Sequence, residues 1–352
     1  MSEIVKGVLA GGLALVTGWI LPVALNLLLI GVFVVPSLSL HVGMVGDVNR
    51  LSGAAKAAVL LGAAVVGGLV LNTLQTPLYR LLEGYLGWPQ WAFEKRKQRH
   101  QELKARIAAR LDLIKRYQRQ VTATVPPEET EWDRRARLDK IRRSAEFTSM
   151  RRRDQRRSAP QRALLREEQR RYPIDNDQVV PTKLGNAIRR LEEYGSNRYL
   201  LDSQILWSRL IAVVPDAARK QVDNAQIGVD FFVCLLYGHI AVALTAAATL
   251  FFAVHPHLSA LLVATFVPLV FVPIWYRLAV VTTDQWTAAV QALVDLGRQP
   301  LAAALGLVMP PTVEEERTMW ERVSRFASRE YNPERAKMLD EFRVKPGGLP
   351  LE

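Results

Sequence analysis

Four stretches of the chain are almost free of charge. Residues 9–36 carry no charged side chain, and 57–74 form a second such run. Residues 227–254 are a third, with one acid, Asp230, near the start, and 258–276 are a fourth. About 20 consecutive apolar residues suffice for a helix to cross the hydrocarbon core of a bilayer, so each run is read as a membrane span. The first run is too long for the apolar region of a cleaved signal and is expected to be retained.

Between spans two and three the pattern changes to helices with one apolar face. Leu103, Ile107, Leu111, Ile114 and Val121 recur at helical spacing and predict a helix over 94–121 with a single apolar stripe. Val125-Pro126-Pro127 ends it. A second helix is expected over 130–157, with Trp132, Ile141 and Ala145 on its apolar side, and the two are expected to pair as an antiparallel hairpin. Residues 172–181 read as a loop and 181–194 as a helix, resumed over 198–214. Pro215-Asp216 then opens a helix that should run unbroken into span three. Span four should also continue inward, through 278–296. After Pro310-Pro311, Thr312 caps an amphipathic helix bearing Trp320, Val323 and Phe326. No strand pattern of any length occurs. The expected fold is all-α: a polytopic membrane protein with four transmembrane helices in two hairpins and a helical cytoplasmic domain.

The domain organisation follows. Residues 1–79 form transmembrane hairpin 1, and 80–93 an interfacial elbow. Residues 94–220 form a basic helical cytoplasmic domain and 221–282 transmembrane hairpin 2. Residues 283–352 hold C-terminal cytoplasmic helices and a loose tail. The elbow mixes Tyr79, Tyr85, Trp88, Trp91 and Phe93 with few charges, the composition of a segment lying at the headgroup level.

Charge fixes the expected orientation. The 352 residues hold 46 Lys and Arg against 34 Asp and Glu, a net +12. Residues 80–220 alone carry an excess of roughly +14, leaving the remainder near neutral. Arg80, Lys95, Arg96, Lys97 and Arg99 follow span two, and Arg219 and Lys220 precede span three. The two short connections carry only Arg50 and Lys56, or no basic residue. Basic residues concentrate on the cytoplasmic side, so both termini and the middle segment are placed inside.

Within the spans, Gly7, Ala10, Gly11, Ala14 and Gly18 in span one, and Ala54, Ala58, Gly62, Ala63 and Gly67 in span two, predict close packing of those two helices. Pro22, Pro268 and Pro273 favour kinks. Asp230 and Arg277 both fall near the inner interface and are candidates for an ion pair between spans three and four. His239 in span three is expected to be packed or hydrogen-bonded between helices.

Reactive chemistry is sparse. The five histidines are scattered, with His255 and His257 flanking Pro256 in an external turn, and no Cys or carboxylate cluster joins them. Cys234 is the one cysteine, so no intramolecular disulfide forms. No phosphate-binding, dinucleotide, nucleophile-elbow or zinc-protease motif is present. No catalytic residue, cofactor or metal is therefore assigned, and the chain is not read as an enzyme. The contact candidates are Trp88 and Trp91 in the elbow with Arg151, Arg152, Arg153, Arg156 and Arg157, which suit anionic lipid headgroups. A nucleic-acid partner is not expected.

Pro181-Thr182-Lys183-Leu184-Gly185-Asn186, then Glu193-Tyr194, Arg198-Tyr199, Asp202 and Trp207-Ser208-Arg209-Leu210, resembles a segment recurring in uncharacterised bacterial membrane proteins, notably actinobacterial ones. Glu316-Arg317 and Trp320 are similar to the C-terminal part of the same group. The resemblance implies a four-span protein of the bacterial inner membrane and carries no activity. The expected function is that of a non-enzymatic membrane scaffold or sensor, homo-oligomeric, whose basic domain meets the anionic inner leaflet or a cytoplasmic protein. The alternative is an oligomeric channel or membrane-permeabilising effector gated by that domain.

Overall fold

A computed structural model describes residues 12–38, 51–122, 130–143, 161–252 and 257–343. The chain is all-helical. Among the described residues the only extended pairing is an isolated bridge between Leu307 and Arg343.

Among the described residues four helices are long and apolar enough to cross a membrane: α1 (Gly12–Phe33), α2 (Gly53–Thr73), α10 (Asp216–Phe252) and α11 (Leu258–Ala304). Between them lie α3 (Gln75–Glu83), α4 (Gln90–Thr122), α5 (Glu131–Arg143), α6 (Gln161–Arg170), α7 (Lys183–Glu192), α8 (Tyr194–Tyr199) and α9 (Trp207–Val213). α12 (Val313–Ser328) and α13 (Pro333–Lys337) follow. The expected long helices are present. α10 has 37 residues and α11 has 47; at about 1.5 Å per residue both far exceed a bilayer core of about 30 Å. α11 stays helical through Pro268, Pro273 and Pro300.

The chain divides into two compact units, 1–82 with 191–352, and 83–190. The expected cytoplasmic segment 94–220 is thus divided: residues 191–220 fold with the long helices.

In the first unit α10 and α11 pack against each other along their length, and α1 lies against α10. α1 opens with a π-turn over Val16–Ile20, in which the Leu21 N–H bonds the Val16 carbonyl. Pro22 follows at once and has no N–H to give, so the helix enters it through a widened turn. The turn buries Gly18, Trp19 and Ile20. α1 and α2 approach closely, at one of the expected small residues, Gly67, and not at Gly62. A Cβ on Gly68 would lie 2.7 Å from Ile20 Cγ1, and one on Gly67 would lie 3.0 Å from Val23 Cγ1. Gly62 has nothing within 4 Å, and Gly18 faces Asp230 and Ile227 of α10. The α1–α2 contact therefore sits at Ala64, Gly67 and Gly68. The rest of α2 is bare: Leu61, Val66, Leu69 and Val70 are exposed. Uncovered apolar surface on this scale belongs in lipid or against another chain.

The start of α10 and the end of α11, beyond their apolar portions, are wrapped by residues 191–214 and by α12. Leu201, Leu206, Leu210, Leu293, Leu301, Met319 and Trp320 form one buried core there. Thr312 caps α12, accepting from Glu315 N at 3.3 Å, and Trp320 and Val323 are buried as the pattern predicts, while Phe326, expected on the same face, is exposed.

In the second unit the α4 stripe is buried at Ile107 and Leu111, with Ile114 beside them. Its described buried partners are Leu165 of α6 and Tyr172, and α5 also touches α4. Trp132 of α5 is 76% exposed. Nine of the 13 residues of α5 are charged, which leaves no continuous apolar face to bury. Ala145 and the remainder of the expected helix lie outside the described residues.

Candidate functional site

Two polar constellations stand out in the first unit. The nearer to the apolar spans centres on Asp230. Its Oδ1 accepts from the Tyr79 hydroxyl at 2.7 Å and from Gln75 Nε2 at 3.1 Å. Gln75 and Tyr79 lie four residues apart on α3, so both project from one face of a helix that begins where α2 ends. Gly18 in the π-turn leaves the space Asp230 occupies, a Cβ there lying 3.4 Å from that of Asp230. One turn farther along α10, Cys234 Sγ lies 3.6 Å from the Trp19 carbonyl, and the Tyr237 hydroxyl donates to the Leu78 carbonyl at 2.8 Å. α10 thus reads α1 and α3 through one row of side chains.

This corrects the expected ion pair. Asp230 is buried on the side of α10 facing α1 and α3, and Arg277 is exposed on α11. No ion pair joins them. Asp230 is served by neutral donors, which cost less to bury than a guanidinium. The signal for this site was legible: Gln75 and Tyr79 at helical spacing, directly after a span.

The second constellation lies at the base. Asp295 of α11 accepts from the Tyr199 hydroxyl at 2.8 Å and from the Tyr194 hydroxyl at 3.0 Å. One turn on, Arg298 Nη1 meets the two Glu316 oxygens at 2.6 and 2.5 Å, while its guanidinium sits 4.5 Å from the centre of the Tyr199 ring. Trp320 Nε1 donates to Glu316 Oε1 at 3.1 Å. Arg317 donates to the Asn197 carbonyl at 3.0 Å, and also to that of Arg198. Ser324 Oγ accepts from Asp202 N at 2.9 Å, next to Leu200 in the left-handed region at φ 57°. Burial, and then Asp295, push the Tyr194 hydroxyl up to about 12 and raise Tyr199 as well, so both remain protonated donors. These are the residues of the resembled segment that fall within this unit: Tyr194, Arg198-Tyr199, Asp202, Glu316-Arg317 and Trp320 converge on one clamp. Trp207 and Leu210 pack in the adjoining core.

The Pro181–Asn186 part of the segment lies in the second unit and is a self-contained cap. Asn186 Oδ1 accepts from Val180 N at 2.9 Å, its Nδ2 donates to the Val180 and Thr182 carbonyls, and Thr182 Oγ1 accepts from Gly185 N at 3.0 Å. Gly185 is required there, since a Cβ would fall 2.5 Å from the Glu83 carbonyl oxygen. Sequence reasoning passed over His100 in this unit. It is buried, 3.0 Å from the Tyr172 hydroxyl, and burial, then Lys183, Arg96 and Arg99, lower it to about 4.

Of the lipid-contact candidates, Trp91 is 73% exposed and Trp88 is half-buried. Arg151, Arg152, Arg153, Arg156 and Arg157 lie outside the described residues. A different basic site is described: Arg322, Arg325, Arg329 and Arg335, with Phe326 and Met338, line a cavity of about 440 Å³. Among the described residues no group of His, Cys, Asp and Glu is arranged to hold a metal ion. No protein-family model, curated protein or solved structure matches the chain.

Proposed function

We propose that this protein is a non-enzymatic scaffold or sensor of the bacterial inner membrane, multi-pass, with both termini and residues 80–220 cytoplasmic. The observation that carries this reading is the continuity of α10 and α11 from apolar spans into the clamped base. A contact made by residues 191–214 or α12 reaches the spans through two unbroken helices whose registers are fixed at Asp295, Arg298 and Asp230. The cytoplasmic contacts are anionic headgroups or a protein. Four arginines line one cavity; Arg322 and Arg325 are paired with Glu341 and Glu321, and the remaining positive charge of Arg329 and Arg335 suits a phosphate-bearing partner. Basic flanks of the spans support the orientation, and the resembled segment supports the bacterial membrane.

A second reading is kept because α2 exposes most of its apolar surface, which a second copy can cover. That reading makes the protein a homo-oligomeric channel or permeabilising effector. Purified protein in planar bilayers separates the two. The scaffold reading expects no conductance, together with anionic phospholipid retained over zwitterionic lipid in native mass spectrometry. Reproducible unitary conductance overturns it.

A further inference from the structure

Where α1, α10 and α11 meet in their apolar portions, they leave a cavity of about 260 Å³. Leu29 and Phe33 of α1, Val242 of α10 and Val263, Val267 and Phe271 of α11 form most of its wall. The one ionisable group in the lining is His239. That side chain is 9% exposed, and its Nδ1 is buried with no hydrogen-bond partner; it faces the Leu235 carbonyl one turn back without reaching bonding geometry. The imidazole is held edge-on by Phe271, at 6.1 Å between ring centres, and by Trp275, at 5.7 Å. Two more polar atoms nearby are equally orphaned. Trp275 Nε1 is buried without a partner, and so is Asn26 Oδ1, whose amide lies against Gly238, the residue before His239.

Pro268 has no N–H, so the Ala264 carbonyl four residues earlier lacks its usual helix donor, and Ala264 and Pro268 both line the cavity. The lining therefore holds an imidazole and the two residues between which a helix hydrogen bond is missing, in otherwise aliphatic and aromatic surroundings. An unpaired buried polar group costs about 1–3 kcal/mol, and ionisable residues within a span are costly to keep without a purpose. A plain acyl chain would fill the space and leave both groups unpaired. A charged headgroup would have to shed its water in an apolar site with no countercharge.

We propose that this cavity binds a membrane-soluble amphiphile carrying a hydroxyl on an apolar body, with the hydroxyl accepting from His239 and donating to the Ala264 carbonyl. The apolar body lies along Val263, Val267 and Phe271. Those residues are exposed on the outer surface of α11, so the mouth opens where lipid would lie. The space exceeds the roughly 150 Å³ that accommodates benzene in a protein core, which allows a ring or a short length of chain beside the hydroxyl. This inference goes beyond the scaffold reading and needs only that these helices lie in a bilayer.

The test uses the full chain in neutral phospholipid nanodiscs. It is photolabelled with a diazirine-bearing long-chain alcohol and, separately, with the matching diazirine alkane. Mass spectrometry then maps the adducts. The alcohol is expected to label residues 29–33 and 263–271 several-fold more than the alkane. His239→Leu should lower alcohol labelling to the alkane level with thermal unfolding unchanged. Val263→Trp, which fills the mouth and keeps His239, should lower it as well and serves alone if His239→Leu does not fold. Equal labelling by the two probes, alcohol labelling elsewhere only, or alcohol labelling unaffected by the folded variants would overturn the proposal.

Discussion

The Tyr79 hydroxyl donates to Asp230 across 2.7 Å, and this bond joins the helix that leaves the second apolar span to the middle of α10. Gln75 shares the same oxygen at 3.1 Å. Hydrogen bonds to a charged acceptor contribute about 1.5–3 kcal/mol each. Tyr79→Phe is expected to destabilise the purified protein within that range, read as a lowered thermal midpoint. Asp230→Asn keeps an acceptor and should cost less. In the double variant the two effects should not fully add, because both act on the same bond, which Tyr79→Phe removes and Asp230→Asn weakens. Full additivity would mean that the bond contributes nothing to the folded state.

The four long apolar helices, the continuation of two of them beyond their apolar portions and most of the α12 face are legible because each follows from the pattern of apolar residues. What the sequence did not disclose is which side of a helix meets which neighbour. Asp230 and Arg277 were matched by depth alone, and depth is blind to rotation about the helix axis. Gly62 and Gly67 lie on adjacent small-residue faces of α2, and of the two only Gly67 touches α1. The convergence of Tyr194, Tyr199 and Trp320 on one clamp joins residues more than 100 positions apart, which no local pattern encodes. The α4 stripe was read correctly, but its partner on α6 lies past the proline turn and a charged helix.

Close approach of α1 to α10 rests on Gly238. A Cβ there would meet the Asn26 side chain at 2.2–2.9 Å. Overpacking of a tight contact costs about 1–3 kcal/mol, so Gly238→Ala should lower thermal stability by that order. Gly62→Ala, with nothing within 4 Å, should be neutral or slightly stabilising through better helix propensity. Equal effects at the two sites would show that the α1–α10 contact is not closely packed.

The base clamp depends on a charge pair of unequal burial: the Arg298 side chain is 29% exposed and that of Glu316 is 5% exposed. Removing one partner of a buried pair leaves an uncompensated charge, at a cost of about 3–5 kcal/mol. Arg298→Met is therefore expected to be more damaging than Glu316→Gln, which still offers an oxygen to Trp320 Nε1. Hydrogen exchange across 191–214 and 313–328 should rise together in Arg298→Met. Exchange confined to one segment would mean the clamp does not couple them.

Orientation is tested by thiol labelling. Ser259 and Ser196 are both exposed, and the native Cys234 is buried. In intact cells an impermeant maleimide is expected to label Ser259→Cys and to label Ser196→Cys only after permeabilisation. The reverse pattern would invert the proposed topology.

His100 supplies a pH dependence in the 83–190 unit. Burial and the neighbouring cations Lys183, Arg96 and Arg99 lower it from 6.5 to about 4, so the folded unit holds the imidazole neutral. Above the ordinary histidine range neither the folded nor the unfolded chain carries this proton, and the contribution to stability is fully present. As pH falls from 6.5 toward 4 the unfolded chain takes up the proton first, so stability is lost across that window. In the full chain, hydrogen exchange in 90–115 and 161–182, corrected for the intrinsic effect of pH, should rise as the pH drops through it. His100→Phe removes the titrating group and its hydrogen bond with Tyr172. That variant should be slightly less stable near neutrality, by about 1 kcal/mol for the lost bond, and should show a flatter response to acid. An acid response as steep as that of the unaltered chain would assign the pH dependence to other groups.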